Sequence, residues 1–207
     1  MAAEVEAETR TAPERILEAA CDLIAAEGID EVRIARVATR AGASTALVHH
    51  YFSTREELLE QALIHSFEQA GDERFERPPG TEETATGALA RGIRECLPLP
   101  GSQEREWVLW VELWLRAVRE PALRPVAAGL YDRYREWMAG LIRAGTKSGE
   151  FRSDADPEAL ADVAMALLDG AGVRALLRDP EMEVDAAQKL VAERLAVELG
   201  LEADALL

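Results

Sequence analysis

Four arginines and two histidines lie within a 24-residue stretch, from Val32 to Arg55, that contains no aspartate or glutamate. The whole chain of 207 residues carries 39 acidic and 23 basic residues, for a formal net charge of -16. Guanidinium and imidazolium groups bind phosphate oxygens, and a stretch without acids does not repel them. The local composition therefore indicates contact with nucleic acid. The charge of the rest of the chain argues against a protein that coats nucleic acid generally.

The apolar spacing in this stretch predicts two short helices joined by a tight turn. The first runs from about Arg33 to Arg40, Gly42 allows the turn, and Ser44 or Thr45 caps a second helix that ends near Tyr51. In such a pair the second helix can enter the major groove of DNA while the first crosses the backbone. Short helix pairs also occur in many helical proteins. The spacing alone therefore leaves DNA binding and a purely structural role open.

The elements that must position this pair are predicted to be helices throughout, so the fold class is all-α. No long run alternates with period two, and Ala, Leu, Glu and Arg dominate the chain. Thr11 followed by Glu14, with Pro13 between them, predicts the start of a first helix that ends at Gly28. A longer helix follows Ser53 or Thr54 and runs to about Ala70. Further helices are predicted at about Glu83 to Cys96, Gln103 to Arg119, Ala122 to Gly145, Pro157 to Leu177 and Val184 to Leu199.

Several segments in and around the acid-free stretch resemble the DNA-binding signature of the TetR family. They are Val37-Ala38, Ala41-Gly42-Ala43-Ser44, Leu47-Val48-His49-His50-Tyr51-Phe52 and Ser53-Thr54-Arg55-Glu56-Glu57-Leu58-Leu59, in a gapless spacing. The predicted first helix stands where that family has its own. Weaker matches follow at Glu112-Leu113-Trp114, Glu120-Pro121-Ala122-Leu123-Arg124 and Leu167-Leu168-Asp169-Gly170. The resemblance thus spans most of the chain, with specific motifs only at its front.

This resemblance implies a homodimer that binds a palindromic double-stranded DNA operator and is released by a small-molecule effector. It implies a three-helix helix-turn-helix domain at residues 10–57 and a larger helical ligand-binding and dimerisation domain at residues 58–207. Residues 1–9 are acidic and without an apolar core, and we expect a disordered tail rather than a signal peptide. The DNA-binding residues expected from the resemblance are Arg33, Ser44, Thr45, Ala46, His49, His50, Tyr51 and Arg55, with Arg55 beginning the next helix against a phosphate.

Three positions depart from the common pattern of the family. Arg33 stands where Ser or Thr is usual, Ala43 where Val is frequent, and His49 where Tyr is frequent. Thr45 and Ala46 offer a base only a hydroxyl and a methyl group, whereas arginine or lysine makes the commonest specific contact with guanine. The sequence therefore does not predict the operator.

All four tryptophans lie between positions 107 and 137. Their spacing places three on one helical face and the fourth beside a tyrosine on the next helix. These aromatic side chains can form an ordinary core, or they can form the wall of a pocket for an apolar or cationic effector, because indole faces attract cations. The residues of this expected pocket are Trp107, Trp110, Trp114, Tyr134 and Trp137.

Apolar residues at helical spacing in the last two predicted helices indicate a dimer interface. Two such helices from each of two subunits would form a four-helix bundle. Gly170 and Gly172, which are unfavourable inside a helix, suggest close packing at this point. The residues of the expected interface are Leu160, Ala164, Leu167, Leu168, Ala171, Leu190, Val191 and Leu195.

No arrangement of residues suggests catalysis, a metal site or a bound cofactor. His49 and His50 point about 100° apart on a helix and no further ligand stands at a suitable spacing, so a structural or DNA-facing role is favoured. Two distant cysteines and the lack of a long apolar run favour a cytoplasmic protein without a membrane span. The main interpretation is a ligand-responsive transcriptional repressor and not an enzyme. The alternative is a helical small-molecule-binding or adaptor protein that does not bind an operator.

Overall fold

The computed structural model describes residues 10–75, 84–152 and 154–207, so the expected tail at residues 1–9 lies outside the described part. The described residues form nine α-helices and two short 3-10 turns, Ile29–Glu31 and Pro121–Leu123, and contain no strand. This confirms the prediction of an all-α fold. The helices are α1 Ala12–Glu27, α2 Ile34–Arg40, α3 Thr45–Tyr51, α4 Arg55–Phe75, α5 Ala85–Glu95, α6 Ser102–Arg119, α7 Arg124–Ser148, α8 Pro157–Leu176 and α9 Val184–Leu199.

The boundaries of most helices follow from local chemistry. Before α1, the backbone N–H of Thr11 donates to the Glu14 carboxylate at 2.7 Å, and this bond lowers the pKa of Glu14. After α1, Gly28 adopts a φ of 84°, a conformation that side-chain-bearing residues rarely adopt. The clearest differences from the prediction are in two helices: α4 continues past Gly71 to Phe75, and α7 begins at Arg124 after a 3-10 turn and continues past Gly145 to Ser148. A single glycine weakens a helix by about 1 kcal/mol without ending it.

The chain divides into two compact units. The first comprises the described residues up to Ala70 together with Val108–Leu123, and the second comprises those of Gly71–Trp107 and Arg124–Leu207. The boundary expected between residues 57 and 58 stays a prediction. Two helices, α4 and α6, contribute residues to both units.

The core of the first unit holds α2 and α3 in place. These are the short helices of the predicted DNA-binding domain at residues 10–57, which we call the DNA reader. Ile16 and Ile24 of α1, Val37 of α2 and Val48 of α3 are all fully buried. The thiol of Cys21 donates to the backbone carbonyl of Ala62 at 3.0 Å, and neither Cys21 nor Cys96 forms a disulfide. The buried residues leave the opposite faces of α2 and α3 exposed.

Small residues allow the helices of the second unit to pack closely. A β-carbon on Gly172 would lie 2.2 Å from the Trp107 ring, and one on Gly145 would lie 2.1 Å from the Phe151 ring. In contrast, nothing lies within 4 Å of a β-carbon built on Gly170. Gly172 therefore makes room for an indole within the subunit, whereas Gly170 faces open space. The predicted close packing holds for one of the two glycines.

Five of the eight residues expected at the dimer interface belong to the subunit's own core. Each of the five has at most 3% of its surface exposed, so these residues offer almost no surface for a second subunit to cover. They are Ala164, Leu168, Ala171, Val191 and Leu195. Of the other three, Leu160 and Leu167 are half-buried and Leu190 is exposed. Helical periodicity had marked the buried face correctly but could not distinguish an internal core from an interface.

Candidate nucleic-acid interface and aromatic clusters

Helix α3 presents one face to its own unit and the other face to solvent. Val48 and the following Phe52 are buried, and Leu47 is half-buried. The exposed residues are those that the resemblance assigned to DNA: Thr45, Ala46, His49, His50 and Tyr51. Packing within the subunit does not require these exposed side chains. They are consequently available to contact DNA.

Ser44 caps this helix. Its hydroxyl oxygen accepts a hydrogen bond from the backbone N–H of Leu47 at 3.1 Å. A cap of this kind contributes about 1 kcal/mol to a helix, which matters for a helix of seven residues. The hydroxyl proton of the exposed Ser44 can still be donated to a phosphate oxygen.

The histidines lie in the last turn of α3, on its exposed side. The His50 ring meets the Tyr51 ring edge-on, with centroids 5.1 Å apart. Both imidazoles and the Tyr51 hydroxyl can donate or accept hydrogen bonds. The exposed face of α3 therefore offers polar groups without a fixed positive charge.

Two of the four arginines in the acid-free stretch are paired with acids of α1. Arg36 forms a bidentate ion pair with Glu27, and Arg40 donates two hydrogen bonds to Asp22, at 2.9 and 2.7 Å. The hydrogen bond with Arg36 lowers the pKa of Glu27, and the same pair raises the pKa of Arg36. The local positive charge is therefore smaller than the composition of the stretch suggested. Asp22 and Glu27 lie before the stretch in the sequence, but the fold brings their carboxylates next to its arginines.

The other two arginines bind backbone carbonyl oxygens. Arg55 donates to the carbonyls of Val32, Ile29 and Asp30 at 2.7, 2.6 and 3.0 Å, and its side chain is 25% exposed. These bonds attach the start of α4 to the connection between α1 and α2. Arg55 was expected to face a phosphate, but its geometry is that of a structural anchor for the reader.

Arg33 is the most available of the four guanidinium groups. It donates to the carbonyl of Asp30 at 2.6 Å, but the residue is exposed and no carboxylate pairs with it among the described residues. It is the N-cap of α2, and its side chain makes no capping hydrogen bond. An arginine therefore stands at the capping position of α2 without capping the helix.

The five residues of the expected pocket divide among three environments. In the first unit, Trp110 packs against Phe67 of α4 with ring centroids 4.3 Å apart, and against Trp114 at 5.8 Å. The Phe67 ring is fully buried and both indoles are half-buried. These three rings form the first aromatic cluster.

Trp107 belongs to the core of the second unit. Its indole is 7% exposed, its Nε1–H donates to the carbonyl of Cys96 at 3.1 Å, and its ring lies against Gly172. These contacts account for a tryptophan at this position through packing alone.

Tyr134 and Trp137 join Phe75 in a second aromatic cluster. The Phe75 ring lies 5.0 Å from Tyr134, edge-on, and 5.6 Å from Trp137, at a tilt of 47°. A groove of about 460 Å³ borders this cluster and is lined by Phe75, Asp132, Arg133, Glu136 and Trp137. Phe75 was not predicted, because it stands 62 residues before Trp137 in the sequence and only the fold brings the two together.

A second feature that the sequence did not suggest is a half-buried carboxylate. Asp169 of α8 accepts a hydrogen bond from the Tyr131 hydroxyl at 2.7 Å. Burial raises the pKa of Asp169, and the hydrogen bond from Tyr131 opposes this rise. Burial and the neighbouring carboxylate also raise the pKa of Tyr131.

Residues 10–75, 84–152 and 154–207 contain no group of three histidine, cysteine or acidic side chains that could hold a metal ion. None of the described helices combines the length and the apolar character needed to span a bilayer.

Family models match most of the chain. Residues 16–62 match the model described as bacterial regulatory proteins, tetR family, and residues 85–200 match the model described as BetI-type transcriptional repressor, C-terminal. A curated relative, the HTH-type transcriptional regulator BetI of Klebsiella pneumoniae (strain 342), is 24% identical over 185 residues, which cover 86% of this chain and 89% of the relative.

Solved structures of similar fold include other transcriptional regulators. A putative regulator from Saccharomonospora viridis, crystallised in complex with choline, is 33% identical with a TM-score of 0.78, covering 90% of this chain and 95% of its own. A putative TetR-family regulator from Rhodococcus sp. is 28% identical with a TM-score of 0.75, covering 91% and 98%. FadR from Bacillus subtilis, in complex with stearoyl-CoA, is 22% identical with a TM-score of 0.67, covering 89% and 96%, and shows the fold alone.

Proposed function

This chain belongs to the TetR family of bacterial transcriptional regulators, and from this membership we propose that it is a dimeric repressor that leaves its operator when a small organic cation binds. The observation that carries the proposal is the exposed polar face of α3, which the packing of the first unit does not require. Residues 10–57 serve as the DNA reader and residues 58–207 bind the effector and the second subunit. The protein acts in the cytoplasm as a regulator, without an enzymatic role of its own.

The proposed DNA contacts divide into two kinds. Thr45, Ala46 and His49 face the bases in the major groove, where a hydroxyl, a methyl group and an imidazole can each distinguish base edges. Ser44, His50, Tyr51 and Arg33 contact the phosphate backbone and set the position of the helix without reading sequence. Arg55 supports the reader from within through its three carbonyl contacts.

The proposed dimer interface uses the exposed apolar residues of α8 and α9. Val163 is 39% exposed, Leu190 is 42% exposed and Val197 is 61% exposed, and the exposed Ala166 and Gly170 follow Val163 at helical spacing. Small residues at the centre of such a face allow two helices to approach closely. This explains a helical glycine at position 170, where the subunit itself places nothing.

The proposed effector class is a quaternary ammonium compound such as choline. A solved regulator that is 33% identical to this chain was crystallised with choline. Quaternary ammonium groups bind to the faces of aromatic rings, and this chain has two clusters of such rings. The residues proposed for this role are Trp110 and Trp114 in the first cluster and Tyr134 and Trp137 in the second.

Selection of genomic DNA fragments by the purified protein, followed by sequencing, tests the proposal. An enriched palindrome that is depleted when choline is added would support a dimeric repressor released by a cation. A folded dimer that enriches no sequence, with or without choline, would favour a helical binding or adaptor protein without operator binding.

A further inference from the structure

The groove beside Phe75 and Trp137 combines space, aromatic faces and negative charge in the second unit. It is shallow and open to solvent, with a volume of about 460 Å³, so a small ligand would lie against the rings rather than be enclosed. The two rings are tilted by 47° with centroids 5.6 Å apart, so they form a wedge and not a closed stack. Both rings are half-buried, which leaves part of each accessible from the groove.

One face of this wedge already accepts a cation from the protein itself. The guanidinium carbon of Arg133 lies 5.2 Å from the centroid of the Phe75 ring, a distance typical of cation–π contacts. The surroundings of Phe75 are therefore compatible with a positive charge. The Trp137 ring on the other side of the wedge is the larger aromatic face and attracts cations more strongly than phenylalanine.

Two carboxylates, Asp132 and Glu136, stand one turn apart on α7 beside these rings. Each also approaches an arginine outside the groove, Arg135 at 3.6 Å and Arg143 at 3.3 Å. Those arginines have a second acidic partner on α8, Asp162 for Arg135 and Glu158 for Arg143.

The groove lining contains two carboxylates, Asp132 and Glu136, and one guanidinium, Arg133. Because Arg135 and Arg143 each have a carboxylate of α8 as a second partner, neither arginine loses its last acid when Asp132 or Glu136 turns toward a ligand. The two groove carboxylates can therefore approach a bound cation.

We propose that this groove is the binding site for the cationic effector. The quaternary ammonium group packs against the Trp137 ring and beside Phe75, and the carboxylates of Asp132 and Glu136 supply the opposite charge. This inference rests on the proposed function, because it assigns a place to the effector class proposed there. It selects the second aromatic cluster over the first and adds two carboxylates that the sequence did not identify as functional.

A neutral molecule of the same shape distinguishes charge recognition from simple burial. 3,3-Dimethylbutan-1-ol has the size of choline but carries carbon in place of nitrogen. An aromatic and acidic site should bind choline about tenfold or more tightly than this alcohol, because the alcohol lacks the charge that both the rings and the carboxylates recognise. A site that works by apolar burial alone would bind the alcohol at least as well.

The test is titration calorimetry of the full-length protein with choline and with the alcohol. Asp132→Asn/Glu136→Gln removes both groove carboxylates, and Asp162→Asn/Glu158→Gln is the matched control. The control removes the same number and type of charges from the same two arginines, but outside the groove. We expect choline affinity to fall about tenfold in the groove variant and less than twofold in the control.

Two tryptophan variants separate the two aromatic clusters. Trp137→Leu should lower choline affinity about tenfold, while Trp114→Leu should leave it within about twofold. The thermal midpoint of each variant shows whether it remains folded. The Asp132→Asn/Glu136→Gln variant provides an independent test, because both carboxylates are exposed and their substitution does not disturb buried packing.

The outcomes distinguish this inference from the proposed function. If choline binds but the groove variants bind it like the wild type, the groove is not the site, whereas the effector class stands; loss on Trp114→Leu would then place the cation in the first cluster. If neither choline nor its neutral analogue binds the wild-type protein, the proposed effector class fails and the groove assignment fails with it. Selective loss in the groove variants supports both.

Discussion

The DNA reader and the second unit differ in which residues of their sequence indicate function. In the reader, the informative residues are exposed, such as Thr45 and His49, and folding does not explain their presence. In the second unit, the most regular pattern, the apolar repeat of α8 and α9, mostly describes the core of the subunit itself. An exposed polar residue in a family motif therefore indicates function, whereas an apolar repeat indicates burial without naming the partner.

The largest effect expected from this contrast is at Leu168. Leu168→Ala removes a fully buried side chain, which costs about 2–5 kcal/mol of folding stability. The loss should be the same at every protein concentration, because the side chain packs within the subunit. Urea denaturation at several protein concentrations measures it.

Val197→Asp provides the matched contrast at an exposed apolar position of α9. It should raise the dimer dissociation constant about tenfold or more and leave the stability of the subunit nearly unchanged, as measured by analytical ultracentrifugation and urea denaturation. If Leu168→Ala weakened only the dimer, or Val197→Asp only the subunit, the division between core and interface would be reversed.

A smaller effect is expected from two glycines in one helix. Gly172→Ala would bring a β-carbon to 2.2 Å from the Trp107 ring, and such overpacking costs about 1–3 kcal/mol. Gly170→Ala meets nothing within the subunit and should stabilise α8 of the dissociated subunit by about 0.5–1 kcal/mol, although it would crowd the proposed dimer contact. Thermal denaturation at a protein concentration low enough to dissociate the dimer should give midpoints that move in opposite directions for the two variants. Equal shifts would mean that the Trp107 ring does not constrain position 172.

The fold class, most helices and the exposed face of α3 could be predicted because they depend on local patterns. Caps, glycine breaks and helical spacing are readable over a few residues, and Ser44 caps α3 as the pattern indicated. The predicted site residues of α3 remain a prediction with respect to DNA, but their exposure agrees with it.

Contacts between segments that are distant in the sequence could not be predicted from such local patterns. The pairing of Arg36 with Glu27 and of Arg40 with Asp22 depends on how α1 crosses α2, so counting charges within one stretch overstated its basicity. The second aromatic cluster needs Phe75 of α4 beside Trp137 of α7. No periodicity within either helix predicts that meeting.

The paired arginines lead to a prediction about salt. Asp22→Asn/Glu27→Gln should free Arg40 and Arg36, and if each then reaches a phosphate, the slope of log affinity against log salt should steepen by about 0.9 per arginine. Fluorescence anisotropy of labelled DNA at several salt concentrations measures the slope. An unchanged slope would mean that α1 does not restrain these arginines from DNA.

The smallest expected effect concerns pH and Asp169. Because burial raises the pKa of Asp169 above its ordinary value of 3.8, the folded state binds this proton more tightly than the unfolded state. The associated stability is present below the ordinary pKa and is lost as pH rises through the raised pKa. Asp169→Asn cannot titrate, so its stability relative to the wild type should increase slightly from pH 4 to pH 7 in urea denaturation. A constant difference across this range would contradict a raised pKa.

The most direct test of the central claim is operator affinity measured with and without choline. Fluorescence anisotropy with a selected operator should show affinity that falls about tenfold or more at saturating choline, and the operator should weaken choline binding by the same factor, since coupling between two sites is reciprocal. The neutral analogue should leave operator affinity unchanged. An operator affinity that does not respond to choline, in a protein that binds both ligands, would contradict the account of a cation-released repressor.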